Sequence, residues 1–570
     1  LHRHRGIGFL VEACRIGSPK DDVHVSADDI GNTTDAQSGT AVCSRVKSVP
    51  LAENSAMTIG SDDIRRRGWR HSIILNMSVR LCRAEWLFAL LLIASCETIS
   101  PTSTIPSAPS PNFEQHSCTV PNVDATLAAR MRCGTVRVPR DYARPDGPSF
   151  ALSVVVIQSE RKSELADPVV YINGGPGEPI TVYAAAQAKT PYAPGRSLVL
   201  IDQRGTGDSE PRICPTTDRK LLDVTLSLGA DGGVSAGDAR RAAFDACRRE
   251  ALSRGIDLSN FGTRVTADDF ESVRRALSIA RWNLYGESYG TDVAMTLAAL
   301  HPATVRSMVL DSMYPPDPRP SRATSVTAAR RAFFALCDSD PSCFAAPGGL
   351  ARAYDEAKAQ LARNPLTLAR PPGSKWPNER FILTAAAFEF VVANLLYYRN
   401  AYPTVPLVIM WAKNGAREPL ASVTAKLYEA ALTRQVATTT AVECRDRPHF
   451  RGAKTPAPDD IFAGLSGICD TWAPLGPPLL IPAASTVPTL ILAGVIDPVA
   501  EPHESRSIAE IIGSNAQWIQ FPEVGHNVRA FSPCARRIVS DFIAQPERAL
   551  DVGCALHPLP LQFMKAPRQQ

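Results

Sequence analysis

The pentapeptide Gly286-Glu287-Ser288-Tyr289-Gly290 lies between a strand-like run and a helix-like run, and that junction constrains the fold more than any other feature of the chain. Before it, Trp282 to Tyr285 reads as a short buried strand. After it, Thr291 to Leu300 is rich in Ala, Leu and Met and is stopped by His301-Pro302. Strand, G-x-S-x-G and helix in that order are the context of a nucleophile elbow, a turn so tight that it calls for glycine on both sides of the serine. Strain in such a turn lifts the hydroxyl out of the sheet's carboxyl edge, at a helix N-terminus. The pattern predicts a catalytic Ser288; the alternative is a plain strand-to-helix turn.

From Phe150 onward the chain alternates as α/β. Strands are predicted at Phe150 to Ile157, Pro168 to Ile172, Ser197 to Ile201, Val305 to Leu310, Thr489 to Gly494 and Gln517 to Phe521. Continuous apolar strands of this kind are buried on both faces, as in a mostly parallel sheet covered by helices. Two stretches interrupt them. Residues 212–265 hold Cys214, Cys247 and a charged helical segment from Ala239 to Ser253. Residues 314–484 read as an inserted helical cap, with helical runs at Ala323 to Leu336, Leu350 to Ala362, Thr384 to Tyr398 and Ala421 to Leu432. Phe381 to Tyr398 is apolar enough to suggest a membrane helix, but Glu389 and Asn394 inside it favour a core helix of the cap. The hydrolase core is thus expected in two parts, 118–313 and 485–570.

The N-terminal part differs in kind. The chain begins with Leu1, and residues 1–76 show no sustained period, which we read as a non-native or disordered extension ahead of a start at Met77. Residues 77–96 resemble a secretory signal: Arg80 and Arg83 precede the apolar run Leu87 to Ile93, too short for a stable spanning helix. The run ends in Ile93-Ala94-Ser95-Cys96, similar to a bacterial lipobox, which predicts a lipid anchor at Cys96; ordinary cleavage after a small residue is the alternative. Residues 97–117 read as a Ser/Thr/Pro-rich tether. Of the 14 cysteines, ten follow Cys96, an even number that suggests disulfides in an exported chain. Neighbour pairing is expected, Cys118 with Cys133 and Cys534 with Cys554 above all. No cysteine or histidine cluster has zinc spacing, and no metal or cofactor is expected. With a net charge of +4 and no long basic run in the globular part, nothing points to nucleic acid.

A serine hydroxyl needs a base to take its proton, and the base needs an acid to orient it. In this arrangement they follow in the order Ser, Asp or Glu, His, each on a loop after a strand. Asp497 follows the strand Thr489 to Gly494, and His526 follows the last strand. Asp311, at the end of another strand, is a competing acid. His301, His449 and His503 read as structural or surface histidines, and Glu287 as a residue packed or ion-paired under the turn. The oxyanion requires two backbone donors: the N–H of Tyr289, and the loop Asn173-Gly174-Gly175-Pro176-Gly177, from which Gly174 and Gly175 are the candidates.

Taken together, Asn173 to Gly177, Asp202-Gln203-Arg204-Gly205-Thr206-Gly207, Gly286 to Thr291, Asp497-Pro498 and Gly525-His526 resemble the prolyl aminopeptidase and tripeptidyl aminopeptidase family of α/β-hydrolases. The resemblance covers about 118–313 and 485–570, whose C-terminal stretch is similar to the tripeptidyl-aminopeptidase-like C-terminal domain. It implies an α/β-hydrolase fold with a helical cap, and a secreted serine exopeptidase acting on peptides with a free N-terminus. Two positions depart from the family pattern: Asn173 where it often has His, and Ala500 where it often has Thr. The cap stretch Ala441-Val442-Glu443-Cys444-Arg445-Asp446 is similar to a family motif. On that basis Glu443 and Asp446 are candidates to hold the substrate's ammonium; the alternative is a surface ion pair with Arg445 or Arg447. A carboxylesterase acting on small esters, and a catalytically inactive surface binding protein on the same fold, are the competing functional readings.

Overall fold

The computed structural model describes residues 111–161, 165–226, 234–313, 322–343, 348–376, 379–452, 467–557 and 561–563. The expected extension, signal segment and Cys96 lie outside these residues.

Nine strands form one sheet: β1 (Phe113–His116), β2 (Met131–Pro139), β3 (Ser149–Ile157), β4 (Leu165–Ile172), β5 (Arg196–Ile201), β6 (Trp282–Glu287), β7 (Val305–Asp311), β10 (Thr489–Gly494) and β11 (Ala516–Phe521). Their order is β1-β2-β3-β5-β4-β6-β7-β10-β11. The first pairings, through β3 with β5, are antiparallel, and all those from β5 to β11 are parallel. The parallel strands β6, β7 and β10 carry the apolar runs seen in the sequence and are buried along nearly their whole length, and β4 is buried from Pro168 on. β2 was not expected. Its buried residues change face along its length: Met131 and Cys133 enter the core on one side of the sheet, Val136 and Val138 the core on the other, with Arg132 and Arg137 exposed. β1 begins inside the stretch read as a tether, because its backbone pairs with β2 in the register Phe113 to Val136.

Among the described residues five disulfides form, each between neighbouring cysteines in sequence: Cys118–Cys133, Cys214–Cys247, Cys337–Cys343, Cys444–Cys469 and Cys534–Cys554. The first of these staples the end of β1 to β2.

The stretch read as one cap divides between two apolar cores. Helices Arg322–Ser339, Gly349–Arg363, Ala385–Tyr397, Val405–Asn414 and Arg417–Ala430 pack around Phe333, Phe388, Leu396 and Tyr402, together with a hairpin of β8 (Leu366–Ala369) and β9 (Arg380–Leu383). Helix Val436–Asp446 belongs instead to the main core. Its Ala441, Val442 and Cys444 join Phe244 and Phe261 from the earlier interruption. In helix Ala385–Tyr397, Glu389 accepts from Lys358 Nζ at 2.6 Å and from the Tyr354 hydroxyl at 3.2 Å, and the Asn394 amide donates to Phe390 O at 2.8 Å. It is thus a helix of the cap core, and among the described residues no helix is long and apolar enough to cross a membrane.

Candidate active site

The carboxyl ends of β4, β6, β7, β10 and β11 lead into the loops that carry the predicted residues. Ser288 directly follows β6 with φ of 53°, left-handed and strained for a residue with a side chain. The neighbouring glycines make this possible. A Cβ on Gly290 would stand 2.0 Å from the Ile172 carbonyl oxygen, and one on Gly286 would stand 2.6 Å from that of Gly290. The Ser288 N–H donates to Asp311 O at 3.0 Å, and its carbonyl accepts the Thr291 N–H at 2.9 Å. The elbow is therefore tied both to the next strand and to helix Gly290–Leu300.

His526 lies in the loop after β11, and its Nδ1 is 2.8 Å from Asp497 Oδ2. Asp497 Oδ1 accepts the N–H groups of Val499 and Ala500 at 2.8 and 3.2 Å. Replacement of Thr by Ala at 500 leaves this support intact, because the backbone supplies it. Burial opposes the charged imidazolium of His526, but Asp497, with Glu287 and Asp311 behind it, outweighs burial and holds the imidazole above its ordinary value. The His loop also touches the cap: its N–H donates to Tyr397 O at 3.1 Å, and the rings of Tyr397 and His526 are 4.8 Å apart.

Asp311, the competing acid, is fully committed elsewhere. It accepts the N–H groups of Val528 and Arg529 at 2.8 and 2.9 Å, the Ser312 hydroxyl at 2.9 Å and the Tyr285 hydroxyl. It fastens the His loop to β7 rather than orienting the imidazole. His301 ends the elbow helix, His503 pairs with Glu501 at 2.9 Å, and His449 packs on Phe450.

Gly174 approaches Ser288 so closely that a Cβ there would stand 2.8 Å from the serine Cβ and 3.3 Å from Oγ. Only glycine lets this backbone reach the nucleophile. Gly175 follows at φ 115°. Gln203 donates to Asn173 O at 3.0 Å, and the Asn173 amide to Glu178 O at 2.6 Å, so the loop is held at both ends. The Asp202-Gln203-Arg204 motif is scaffold throughout. Asp202 takes the N–H groups of Ile180, Thr181 and Asp208 at 2.6, 2.9 and 3.1 Å, and Arg204 forms a two-pronged pair with Asp269 at 2.6 and 2.7 Å.

Sequence reasoning missed Thr438 and Thr439 of helix Val436–Asp446. Their hydroxyls donate to Gly205 O at 2.7 Å and Pro176 O at 2.6 Å, clamping this helix onto both glycine loops. The signal was the run Thr438-Thr439-Thr440, polar yet buried in an otherwise apolar turn.

The two amine-site candidates both have partners of their own within the protein. Their helix packs into the main core beside the elbow helix, and its carboxylates are engaged there. Glu443 is buried, 3.9 Å from Arg447 Nε, and Arg447 pairs with Asp292 of the elbow helix. Burial outweighs Arg447 at Asp292, whose carboxyl is pushed up to about 7. Asp446 Oδ2 accepts the Thr263 N–H at 2.8 Å and its hydroxyl at 2.6 Å, and Thr263 Oγ1 lies 3.2 Å from the Tyr289 hydroxyl. Asp446 thus braces the residue after the nucleophile through Thr263, and Glu443 does pair with Arg447, the partner weighed as its alternative, but in the interior rather than at the surface.

The fold and the elbow with its acid–imidazole pair define one class of protein. A profile of the α/β hydrolase fold matches residues 167–531, and the chain belongs to that family. It is similar to the tripeptidyl aminopeptidase of Streptomyces coelicolor, 31% identical over 203 residues that cover 34% of this chain and 37% of that protein. Serine protease Hip1 of Mycobacterium tuberculosis is 29% identical over 215 residues, covering 36% of this chain and 40% of its own. Carboxylesterase B of Mycobacterium tuberculosis is 30% identical over 257 residues, covering 42% and 48%. The matches thus span less than half the length of these curated relatives. Among solved structures, the proline iminopeptidase of Mycobacterium smegmatis superimposes with a TM-score of 0.37 at 16% identity, over 72% of this chain and 98% of that one.

Proposed function

We propose that this chain is an exported serine hydrolase of the aminopeptidase type, acting through Ser288, His526 and Asp497. The observation that carries this reading is the buried Asp497–His526 pair at 2.8 Å, on the loops beside a strained elbow serine. His526 takes the Ser288 proton as the hydroxyl attacks the scissile carbonyl. The backbone N–H of Tyr289 and the Gly174–Gly175 loop stabilise the oxyanion. His526 then protonates the leaving amine, and water hydrolyses the acyl-enzyme. Similarity to a tripeptidyl aminopeptidase and a serine protease supports peptides as the substrate class.

Five disulfides fit an oxidising compartment. With the signal-like segment 77–96, they support export, with the membrane reached through a lipid on Cys96. N-terminal mass spectrometry of the mature protein tests this: a lipidated Cys96 is expected, and any peptide from before Met77 overturns it.

Similarity to carboxylesterase B favours a second reading, hydrolysis of small esters by the same triad. Labelling by a fluorophosphonate, lost in Ser288→Ala, tests the nucleophile. Arylamides and esters assayed side by side then separate the two readings. Turnover of esters without turnover of any peptide arylamide overturns the peptidase.

A further inference from the structure

Glu287 is the residue before the nucleophile, and its carboxylate differs from every other near the site. Asp497 is used by His526, Asp311 by the His loop, Asp202 by the loop after β4, and Asp292 by Arg447. Glu178 is taken by Arg434 at 2.6 Å. Glu287 Oε2 accepts the Tyr171 hydroxyl, whereas Oε1 takes no hydrogen bond from any described residue. Of the two expectations for Glu287, packed or ion-paired under the turn, no ion pair forms among the described residues, and the Tyr171 hydroxyl packs against it. The residue is partly exposed, as is Ser288 beside it.

A half-desolvated carboxylate without a cation is unfavourable. On the residue before a serine nucleophile it is also counterproductive, because its charge repels the oxyanion that forms when the serine attacks. A glutamine would take the Tyr171 hydroxyl equally well without either penalty. The charge makes sense where the substrate brings a positive one. The surroundings suit an ammonium: the fields of Glu178 and Glu287 both reach the phenol of half-exposed Tyr398, and Tyr397 stands against His526.

We infer that Glu287, through Oε1, is the residue that holds the substrate's ammonium group, in the place the sequence assigned to Glu443 and Asp446. The inference rests on the aminopeptidase reading. Burial pushes the Glu287 carboxyl up to about 7, against the Tyr171 hydrogen bond and with Asp311 adding to the rise. His526 lowers it and Glu178 raises it, and the phenols of Tyr192, Tyr285 and Tyr398 also lie within its field. An arriving ammonium finds a carboxyl poised to ionise.

The test compares matched aminoacyl- and tripeptidyl-arylamides, each with a free and an acetylated N-terminus, on the full chain and on Glu287→Gln and Glu287→Asp. The readout is the ratio of kcat/KM, free over acetylated, from which any general loss of activity cancels. The wild type is expected to favour the free amine by roughly 30-fold or more, as for a hydrogen bond to a charged group. Glu287→Gln brings the ratio to within about 3-fold of unity, through KM, while Glu287→Asp keeps an intermediate preference. A wild type that favours the free amine, with Glu287→Gln retaining that preference, overturns the role of Glu287 and leaves the aminopeptidase standing. A wild type indifferent to acetylation overturns both. The wild-type ratio also carries a signature that needs no variant. It rises as pH passes about 7, where Glu287 ionises, and falls above about 8, where the α-amine loses its charge. A flat ratio overturns the inference.

Discussion

Asp311 accepts the backbone N–H of Val528 at 2.8 Å, two residues beyond His526. One carboxylate thereby joins the end of β7 to the loop that carries the imidazole, with the Arg529 N–H at 2.9 Å on the same group. Asp311 and Asp497 are both buried acids at strand ends, so substitution separates the scaffold from the triad. Asp497→Asn is expected to cut kcat by about 10⁴ with little loss of stability. Asp311→Ala leaves two buried N–H groups and two hydroxyls without their acceptor, and is expected to destabilise the fold by about 2–4 kcal/mol. Thermal unfolding and kcat measured on both variants check this. A large kcat loss in Asp311→Ala with unchanged unfolding would exchange the two roles.

Gly174 is the point where the oxyanion loop meets the nucleophile. In Gly174→Ala the new Cβ would stand 2.8 Å from that of Ser288, so loop or serine must shift. The expected outcome is a fall in kcat of about 10² or more with KM and the unfolding midpoint nearly unchanged, as when one oxyanion donor is displaced. Fluorophosphonate labelling slows in parallel. Full activity in this variant would remove the loop from the mechanism.

Arg447 is 1% exposed and pairs with Asp292, which is also buried, while Glu443 approaches from the same helix. Arg447→Met strands these carboxylates in the core and is expected to cost about 3–5 kcal/mol. Adding Asp292→Asn should recover part of that loss, because the remaining buried charge is smaller. Urea denaturation of the single and double variants measures the coupling; strictly additive losses would mean that the pair does not act as a unit.

His526 works as a base only when neutral. Its folded value lies above the ordinary imidazole value of about 6.5, since Asp497 outweighs burial. Activity toward a neutral ester is therefore expected to be full at alkaline pH and to fall as pH drops through a midpoint above 6.5. A neutral substrate keeps the Glu287 carboxyl out of amine binding in this measurement. A midpoint at or below 6.5 would show that burial, not Asp497, dominates the imidazole.

Much of the site was legible because its chemistry depends on local sequence. The elbow needs glycines at fixed offsets from Ser288. The parallel strands need unbroken apolar runs, and a strand end followed by Asp or His marks the sheet's active edge. β2 escaped notice because its buried residues switch faces midway, Met131 and Cys133 to one core and Val136 and Val138 to the other, so neither an unbroken apolar run nor a steady alternation marks it. β1 escaped because four mostly exposed residues have no pattern of their own and owe their conformation to pairing with β2.

The chain's order of residues alone thus determined the sheet from β3 onward, the elbow and the succession Ser288, Asp497, His526, since each rests on short-range sterics or on burial along one strand. Which carboxylate serves which purpose was decided only by tertiary structure. Asp311 ends a strand and competed with Asp497 in the sequence, and the structure gives it backbone N–H groups while Asp497 meets the imidazole. Glu443 and Asp446 sit in a family-like motif, yet their helix packs into the main core, where Arg447 and Thr263 engage them. Glu287 was passed over within the motif itself, and it is left with an open oxygen beside the nucleophile. A charge's role depends on what faces it in space, and partners such as Val528 for Asp311, Thr263 for Asp446 and Tyr171 for Glu287 come from more than a hundred positions away.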